Sequence, residues 1–104
     1  MRTLLRFTVD TSAGNEGIKS GTLPSVVKET MDRIKPEAAY FFADGGNRTG
    51  YMIFDLKDVS DIPVIAEPLF NTFKARVEFI PVMNAEDMQK GVKQAMKALY
   101  ETAQ

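Results

Sequence analysis

Residues 38–57 read AAYFFADGGNRTGYMIFDLK, and this stretch decides how the rest of the chain is interpreted. Two apolar and aromatic runs, at positions 38–43 and 49–57, flank the polar sequence DGGNR at positions 44–48. Two strand-forming runs separated by a short segment rich in glycine and asparagine are typical of a β-hairpin. The sequence therefore predicts two adjacent antiparallel strands in the middle of the chain.

The turn decides which residues of the predicted hairpin lie opposite one another. With its centre near residues 46–47, Phe42 faces Tyr51 and Tyr40 faces Ile53. Side chains along a strand alternate between the two faces of a sheet, so these four residues share one face. The other face of the hairpin then carries Ala39, Phe41, Met52, Phe54 and Leu56.

Helical and strand-like patterns alternate on both sides of the hairpin. Residues 3–10 alternate apolar and polar side chains, which is typical of a half-buried strand. Apolar residues within 23–34 recur at helical spacing, which predicts an amphipathic helix that ends before Pro36. Residues 61–73 show the same spacing, and Pro68 is expected to kink or divide that helix because proline removes a backbone hydrogen bond.

The end of the chain adds a fourth strand and a further helix. Residues 75–83 alternate again, and Asn84 with Asp87 forms a capping-box pattern for a helix start. By contrast, residues 11–21 are rich in glycine, serine and asparagine and predict no more than a short helical turn around 15–20. The apolar stripe of the C-terminal helix is Met88, Val92, Ala95, Met96 and Leu99.

The predicted order is strand, helix, strand, strand, helix, strand, helix. Its first six elements match the ferredoxin-like βαββαβ arrangement, an α+β fold built on one four-stranded antiparallel sheet. Right-handed crossover connections place the strands in the order 4-1-3-2. The 104 residues suit one domain, so we predict a single α+β unit over residues 1–104 with an additional C-terminal helix.

Both crossover helices lie on the same side of such a sheet and leave its other side without a helical cover. That side, called the open face below, carries too many apolar groups for a wholly solvated surface and several charges as well. We therefore expect a ligand or a second subunit to lie against it. The residues of the open face are Leu4, Arg6, Thr8, Tyr40, Phe42, Tyr51, Ile53, Asp55, Arg76, Glu78 and Ile80.

Arg6 is central to the open face, because its strand neighbours both the third and the fourth strand. We expect its guanidinium, which has five N–H donors, to lie between Asp55 and Glu78. Such a cluster fits a ligand-binding or acid/base site, and it equally fits an ion network that neutralises charges beneath a partner subunit. No catalytic residue is assigned. The candidate ligand-binding or interface residues are Arg6, Tyr40, Phe42, Tyr51, Ile53, Asp55 and Glu78.

Composition excludes several kinds of chemistry. The chain has no cysteine and no histidine, which excludes thiolate nucleophiles and removes the commonest general base and metal ligand. Its net charge of −1 provides no electrostatic attraction for nucleic acid or an anionic membrane. The N-terminal sequence MRTLLRF is not that of a signal peptide, and no apolar stretch is long enough for a membrane span. We therefore expect a cytoplasmic protein without a cofactor. We also expect no metal site, because the spacing of Asp55, Asp58 and Asp61 fits no calcium loop.

Several short runs carry a resemblance to known proteins. They are KPEAAYF at 35–41, FDL at 54–56, DIP at 61–63, AEPLF at 66–70 and VEFIPVM at 77–83. Together they resemble a family of small uncharacterised bacterial proteins, so the resemblance implies a fold and no activity. The wider architecture is similar to the dimeric α+β barrel superfamily, in which two ferredoxin-like sheets face each other and enclose a pocket. That superfamily includes monooxygenases, haem-degrading enzymes, isomerases and ligand-sensing domains, and the absence of histidine argues against its histidine-ligated haem branch.

Two functions are open at this point. The first is a homodimeric binding or accessory domain, in which a second copy covers the open face and a small apolar or aromatic ligand binds. The second is a cofactor-light isomerase or monooxygenase, in which Tyr40 or Tyr51 orients the substrate. There, Asp55 or Glu78 acts as the base and Arg6 stabilises an enolate-like anion. The enzyme requires a carboxylate with a raised pKa in a closed pocket, which an exposed ion pair with Arg6 does not provide.

Overall fold

The computed structural model describes residues 1–101 and contains the predicted antiparallel sheet, with strand order β2-β3-β1-β4. This is the predicted order 4-1-3-2 viewed from the opposite edge, and the α+β arrangement is compatible with a ferredoxin-like fold. The strands are β1 (Arg2–Thr8), β2 (Ala38–Asp44), β3 (Asn47–Asp55) and β4 (Arg76–Pro81). The helices are α1 (Thr11–Ser20), α2 (Thr22–Ile34), α3 (Asp61–Phe73) and α4 (Ala85–Met96), followed by a π-helical turn, Lys97–Glu101.

The helix-covered side of the sheet contains the core, as the alternation in the sequence predicts. Leu5 and Phe7 of β1 are buried there, as are Met52 and Phe54 of β3. Phe73 of α3 is fully buried against them. Burial of apolar side chains of this size contributes roughly 1.5 to 3 kcal/mol each, so this side accounts for most of the domain's stability.

The segment from residue 11 to 21 is more ordered than its composition suggests. It forms the full helix α1, capped by Asp10, whose carboxylate accepts a hydrogen bond of 3.0 Å from the Ala13 N–H. The prediction of a short turn was wrong because Gly17 has a packing role. A Cβ atom at Gly17 would lie 2.9 Å from the ring of Phe73, so glycine allows α1 to approach the core closely.

The hairpin turn lies one residue earlier than predicted. Gly45 and Gly46 both have positive φ, as a two-residue type I′ turn requires, and they join β2 to β3 directly. Tyr40 therefore pairs with Tyr51 instead of Ile53, and Phe42 pairs with Thr49. Moving the turn by one residue moves each pairing partner along β3 by two residues. Because side chains alternate between the faces of a strand, every side chain keeps its predicted face.

Helix α3 runs through Pro68 without interruption, so the prediction that proline might divide it was wrong. Pro68 and Val64, whose carbonyl loses its usual donor, are both exposed. The cost of the missing hydrogen bond is small on the solvent side of a helix. On the other side of α3, Ile65, Leu69 and Phe73 are buried.

Helix α4 projects from the domain. Its start has both halves of the predicted capping box between Asn84 and Asp87, but none of its residues is buried. The molecule is 64 Å long with a radius of gyration of 17.5 Å, whereas a compact chain of this length has about 13 Å. Among the described residues, α4 is therefore an extended arm that buries no side chain against the rest of the domain.

Candidate functional site

The guanidinium of Arg6 lies at the centre of the open face, as predicted. It donates a hydrogen bond to the carboxylate of Asp44, and its Nε lies 3.8 Å from a carboxylate oxygen of Glu78. It also lies over the ring of Tyr51, with 5.4 Å between Cζ and the ring centroid. Arg6 is thus held by two carboxylates and one aromatic ring, on strands β2, β3 and β4.

Asp55 is not part of this cluster, and the expectation that it pairs with Arg6 was wrong. The register places Arg2 opposite Asp55, and Tyr51 opposite Arg6, four residues along β3. At a rise of about 3.3 Å per residue this separates the two sites by roughly 13 Å. Asp55 instead binds the Met1 amino group at 2.6 Å. That ammonium, through its hydrogen bond and its charge, lowers the pKa of the Asp55 carboxyl.

Asp44 takes the place predicted for Asp55. The sequence predicts that Asp44 belongs to the turn, whereas strand β2 continues through Asp44. Positions 40, 42 and 44 then alternate onto the open face, which brings the Asp44 carboxylate to Arg6. The alternation of residues 40, 42 and 44 would have indicated this position for Asp44. A predicted turn centred one residue too late excluded Asp44 from the strand.

Two buried polar atoms of the open face have no hydrogen-bond partner within residues 1–101. They are Nε of Arg6 and the hydroxyl oxygen of Thr8, which is opposite Arg76 on β4. Buried polar groups are nearly always hydrogen-bonded, because an unpaired one loses its interactions with water without replacement. The Glu78 carboxylate, 3.8 Å from Nε of Arg6, forms an ion pair with it without a hydrogen bond.

The apolar part of the open face is strongly exposed on the edge strand β2. Tyr40 is 64% exposed and Phe42 is 41% exposed, although Phe42 makes an edge-on contact with Tyr51, with ring centroids 5.0 Å apart. Ile80 on the opposite edge strand is also exposed, while Ile53 between them is half-buried. An apolar surface that extends over neighbouring strands is typical of an interaction site.

Helix α4 presents a second apolar surface. Its predicted stripe, including Met88, Val92, Met96 and Leu99, is exposed along its whole length. The helix is attached to the sheet through its first turn, where Asp87 pairs with Arg2 at 3.1 Å. Arg2 also pairs with Glu37, whose hydrogen bond and charge raise the pKa of the Arg2 guanidinium. The base of the arm is thus tied to β1, while its apolar stripe has no cover.

An apolar cleft of about 450 Å³ lies at the hairpin end of the sheet, lined mostly by residues of the helix-covered side and also by Phe42 of the open face. Its floor includes Phe7, and its walls include Leu23 and Val27 of α2 and Phe41 of β2. Arg48 is the one charged residue in its lining. We call this the hairpin cleft. The sequence does not predict this cleft, because Phe41 is expected on the side of the sheet that the helices cover, whereas it is more than half exposed.

The described residues contain neither an acidic cluster suited to a metal ion nor a membrane-spanning helix. Within residues 1–101, no group of three or more acidic side chains is close enough to hold a metal ion. In the same part of the chain, no helix has the length and apolar character needed to cross a membrane. Asp58, one of the three spaced acidic residues, instead accepts hydrogen bonds from the backbone and hydroxyl of Ser60, which lower the pKa of its carboxyl.

A comparison with known protein families finds no family that matches the chain, and a search of curated proteins finds no match either. Any functional assignment therefore depends on the geometry of the open face, helix α4 and the hairpin cleft.

Proposed function

We propose that this protein is a homodimeric binding domain, in which a second copy covers the open face and the dimer binds a small apolar or aromatic ligand. One observation carries the proposal: a single chain exposes two unpartnered apolar surfaces, the open face and the stripe of α4. Exposed apolar surface of this extent is costly in water, and its burial drives association.

A second copy is the simplest partner because each copy offers both surfaces. In a two-fold dimer the same patches meet twice, so one arrangement covers both open faces and both helices. The dimensions agree, since the 12 residues of α4 span about 18 Å and four strands span roughly 15 Å. The similarity to the dimeric α+β barrel superfamily supports the same arrangement, with the open faces opposed and each α4 packed on the partner.

The charged cluster fits the interior of such a dimer better than a catalytic site. Arg6 is paired with Asp44 and lies near Glu78, so the charge of the guanidinium stays neutralised when the face is covered. This favours the ion network over the acid/base site as the role of Arg6.

The enzyme alternative receives no support from the described residues. A general base requires a carboxylate that is partly protonated near neutral pH, whereas the Met1 ammonium lowers the pKa of Asp55. Glu78 lies 3.8 Å from Nε of Arg6, in the ion network described above. An isomerase or monooxygenase activity therefore stays a prediction, and it needs a base other than Asp55.

Native mass spectrometry of the full chain, purified from its host, tests both parts of the proposal. We expect an assembly of twice the 11.6 kDa chain mass, with additional mass from a small organic molecule. A Met96→Glu variant, altered in the stripe of α4, should give the single-chain mass. Lys90→Gln, on the opposite side of α4 with the same change in charge, should leave the dimer intact. A single-chain mass for the unmodified protein would overturn the dimer, and a dimer without bound molecules would overturn the ligand.

A further inference from the structure

We propose that the hairpin cleft is the ligand site and that it binds a small apolar carboxylate through Arg48. This inference deepens the proposed function and rests on its ligand-binding part. It moves the site from the space between the sheets to the helix-covered side of each copy. Eight of the ten lining residues are apolar, and the cleft volume of about 450 Å³ lies within the ordinary range for small-molecule sites.

Most N–H donors of the Arg48 guanidinium form no hydrogen bond within the described residues. Within the described residues its one hydrogen bond joins Nη2 to the side-chain oxygen of Asn15, at 3.1 Å, and none of the ion pairs involves it. A guanidinium carries five N–H donors and recognises a carboxylate through two parallel hydrogen bonds. Arg48 is therefore a cation at the edge of an apolar cleft, held in place by Asn15 and without a counter-ion.

The other polar group in the lining is already used. The hydroxyl of Thr49 donates to the backbone oxygen of Asn47 at 3.1 Å. The cleft therefore offers an apolar lining and one positively charged group. This combination is complementary to a molecule with a hydrocarbon or aromatic body and one carboxylate. A neutral apolar ligand would leave the charge of Arg48 unused, and a strongly polar ligand would lose its hydration against Leu23 and Val27.

A second copy's α4 is a less suitable occupant of the hairpin cleft. Its apolar stripe contains no charged residue, so it provides no counter-ion for Arg48. The cleft also lies at the hairpin end of the sheet, whereas α4 is tied to the other end of β1 through Arg2 and Asp87. Charge and position therefore both favour a small anion.

The chain has no tryptophan, so a Phe41→Trp variant places one fluorescent reporter in the cleft. We expect titration with octanoate to change its emission saturably. Octanamide, a neutral molecule of the same shape, should bind about tenfold more weakly because it lacks the charge-assisted pair with Arg48. In the same background, Arg48→Met should remove the difference between the two probes. Arg33→Met, an exposed arginine outside the cleft, should preserve it.

A second measurement makes the test independent of the reporter variant. In the unmodified chain, octanoate should shift the amide resonances of Gly14 and Thr49, next to Arg48, more than those of Ile80. Absence of a saturable response in both measurements overturns the inference. Equal weakening of octanoate and octanamide by Arg48→Met also overturns it, because it gives Arg48 a purely structural role.

Two outcomes separate this inference from the proposed function. Octanoate binding that Ile80→Lys abolishes and Arg48→Met does not affect would place the ligand between the sheets. That result overturns the hairpin cleft and leaves the proposed function intact. Binding in the cleft by a protein of single-chain mass would support the inference and overturn the proposed dimer. A Phe41→Trp emission that responds to Met96→Glu and not to octanoate would make α4 of a second copy the occupant, and would overturn the inference.

Discussion

The ring of Phe7 on β1 lies directly against Gly50, its pairing partner on β3. A Cβ atom at Gly50 would be 2.4 Å from the Cζ atom of Phe7, closer than any two such atoms can approach. Phe7 is nearly fully buried, and it forms both part of the core and the floor of the hairpin cleft. The absence of a side chain at Gly50 therefore sets the position of a ring that serves stability and the proposed site together.

We predict that Gly50→Ala destabilises the protein. The added methyl group must displace a buried ring, and overpacking of this kind costs about 1 to 3 kcal/mol. Urea unfolding of the two proteins measures the difference. Gly91→Ala is the matched control, because a Cβ atom there meets nothing within 4 Å, and it should cause no loss. Equal stability of Gly50→Ala and the unmodified protein would contradict the observed packing.

The Met1–Asp55 ion pair predicts a specific pH dependence. The ammonium lowers the pKa of Asp55 in the folded protein, so its stabilising effect is complete above the unfolded value of about 3.9. That effect is lost as the pH falls through the lowered folded value. Unfolding free energies of Asp55→Asn and the unmodified protein should therefore differ by a constant amount between about pH 5 and pH 7 and converge below pH 4. A difference that persists at low pH would argue against the ion pair.

Arg6 offers a direct test of the ion network. Arg6→Met should lower the free energy of unfolding by roughly 1 to 3 kcal/mol, because it leaves Asp44 and Glu78 without their shared cation. Adding Asp44→Asn and Glu78→Gln should recover part of this loss, since no unpaired charge then remains. Denaturant unfolding of the single and triple variants makes the comparison. Failure of the added substitutions to recover stability would show that Arg6 does not act mainly by neutralising these carboxylates.

The open face can be distinguished from the rest of the surface by two matched substitutions. Ile80, on the open face, is 40% exposed, and Phe70, on α3, is 45% exposed. Ile80→Lys should weaken dimerisation at least tenfold, because it places an unpaired charge in the proposed interface. Phe70→Lys should leave dimerisation unchanged. Sedimentation equilibrium measures both, and equal effects of the two substitutions would exclude the open face as the interface.

The sequence predicts the layers of this fold well because alternation and helical spacing are local properties. The alternation in β1 correctly assigned Leu5 and Phe7 to the core and Arg6 to the open face. Pro36 correctly marked the end of α2, since the residue before proline avoids helical geometry. Strand order followed from the handedness of the crossovers, which is general to such folds.

What the sequence could not predict depends on contacts between distant residues. Helix α1 contains Gly14 and Gly17, which disfavour a helix locally. They are tolerated because Gly14 allows close packing against Val9 and Arg48, and Gly17 against Phe73. The turn could be centred on either of two adjacent positions, and this choice decided whether Asp44 belonged to a strand. The separation of Asp55 from Arg6 follows from strand register, which no single strand encodes. The exposure of the α4 stripe could not be predicted either. An apolar stripe indicates that a helix packs against another surface, but it does not show whether that surface belongs to the same chain.

The molecular mass of the unmodified protein in solution tests the central claim most directly. Light scattering across the micromolar concentration range should give twice the 11.6 kDa mass of one chain, with dissociation at most at the lowest concentrations. A mass of one chain at every concentration would contradict the account, because the open face and α4 would then be exposed without a second copy to cover them.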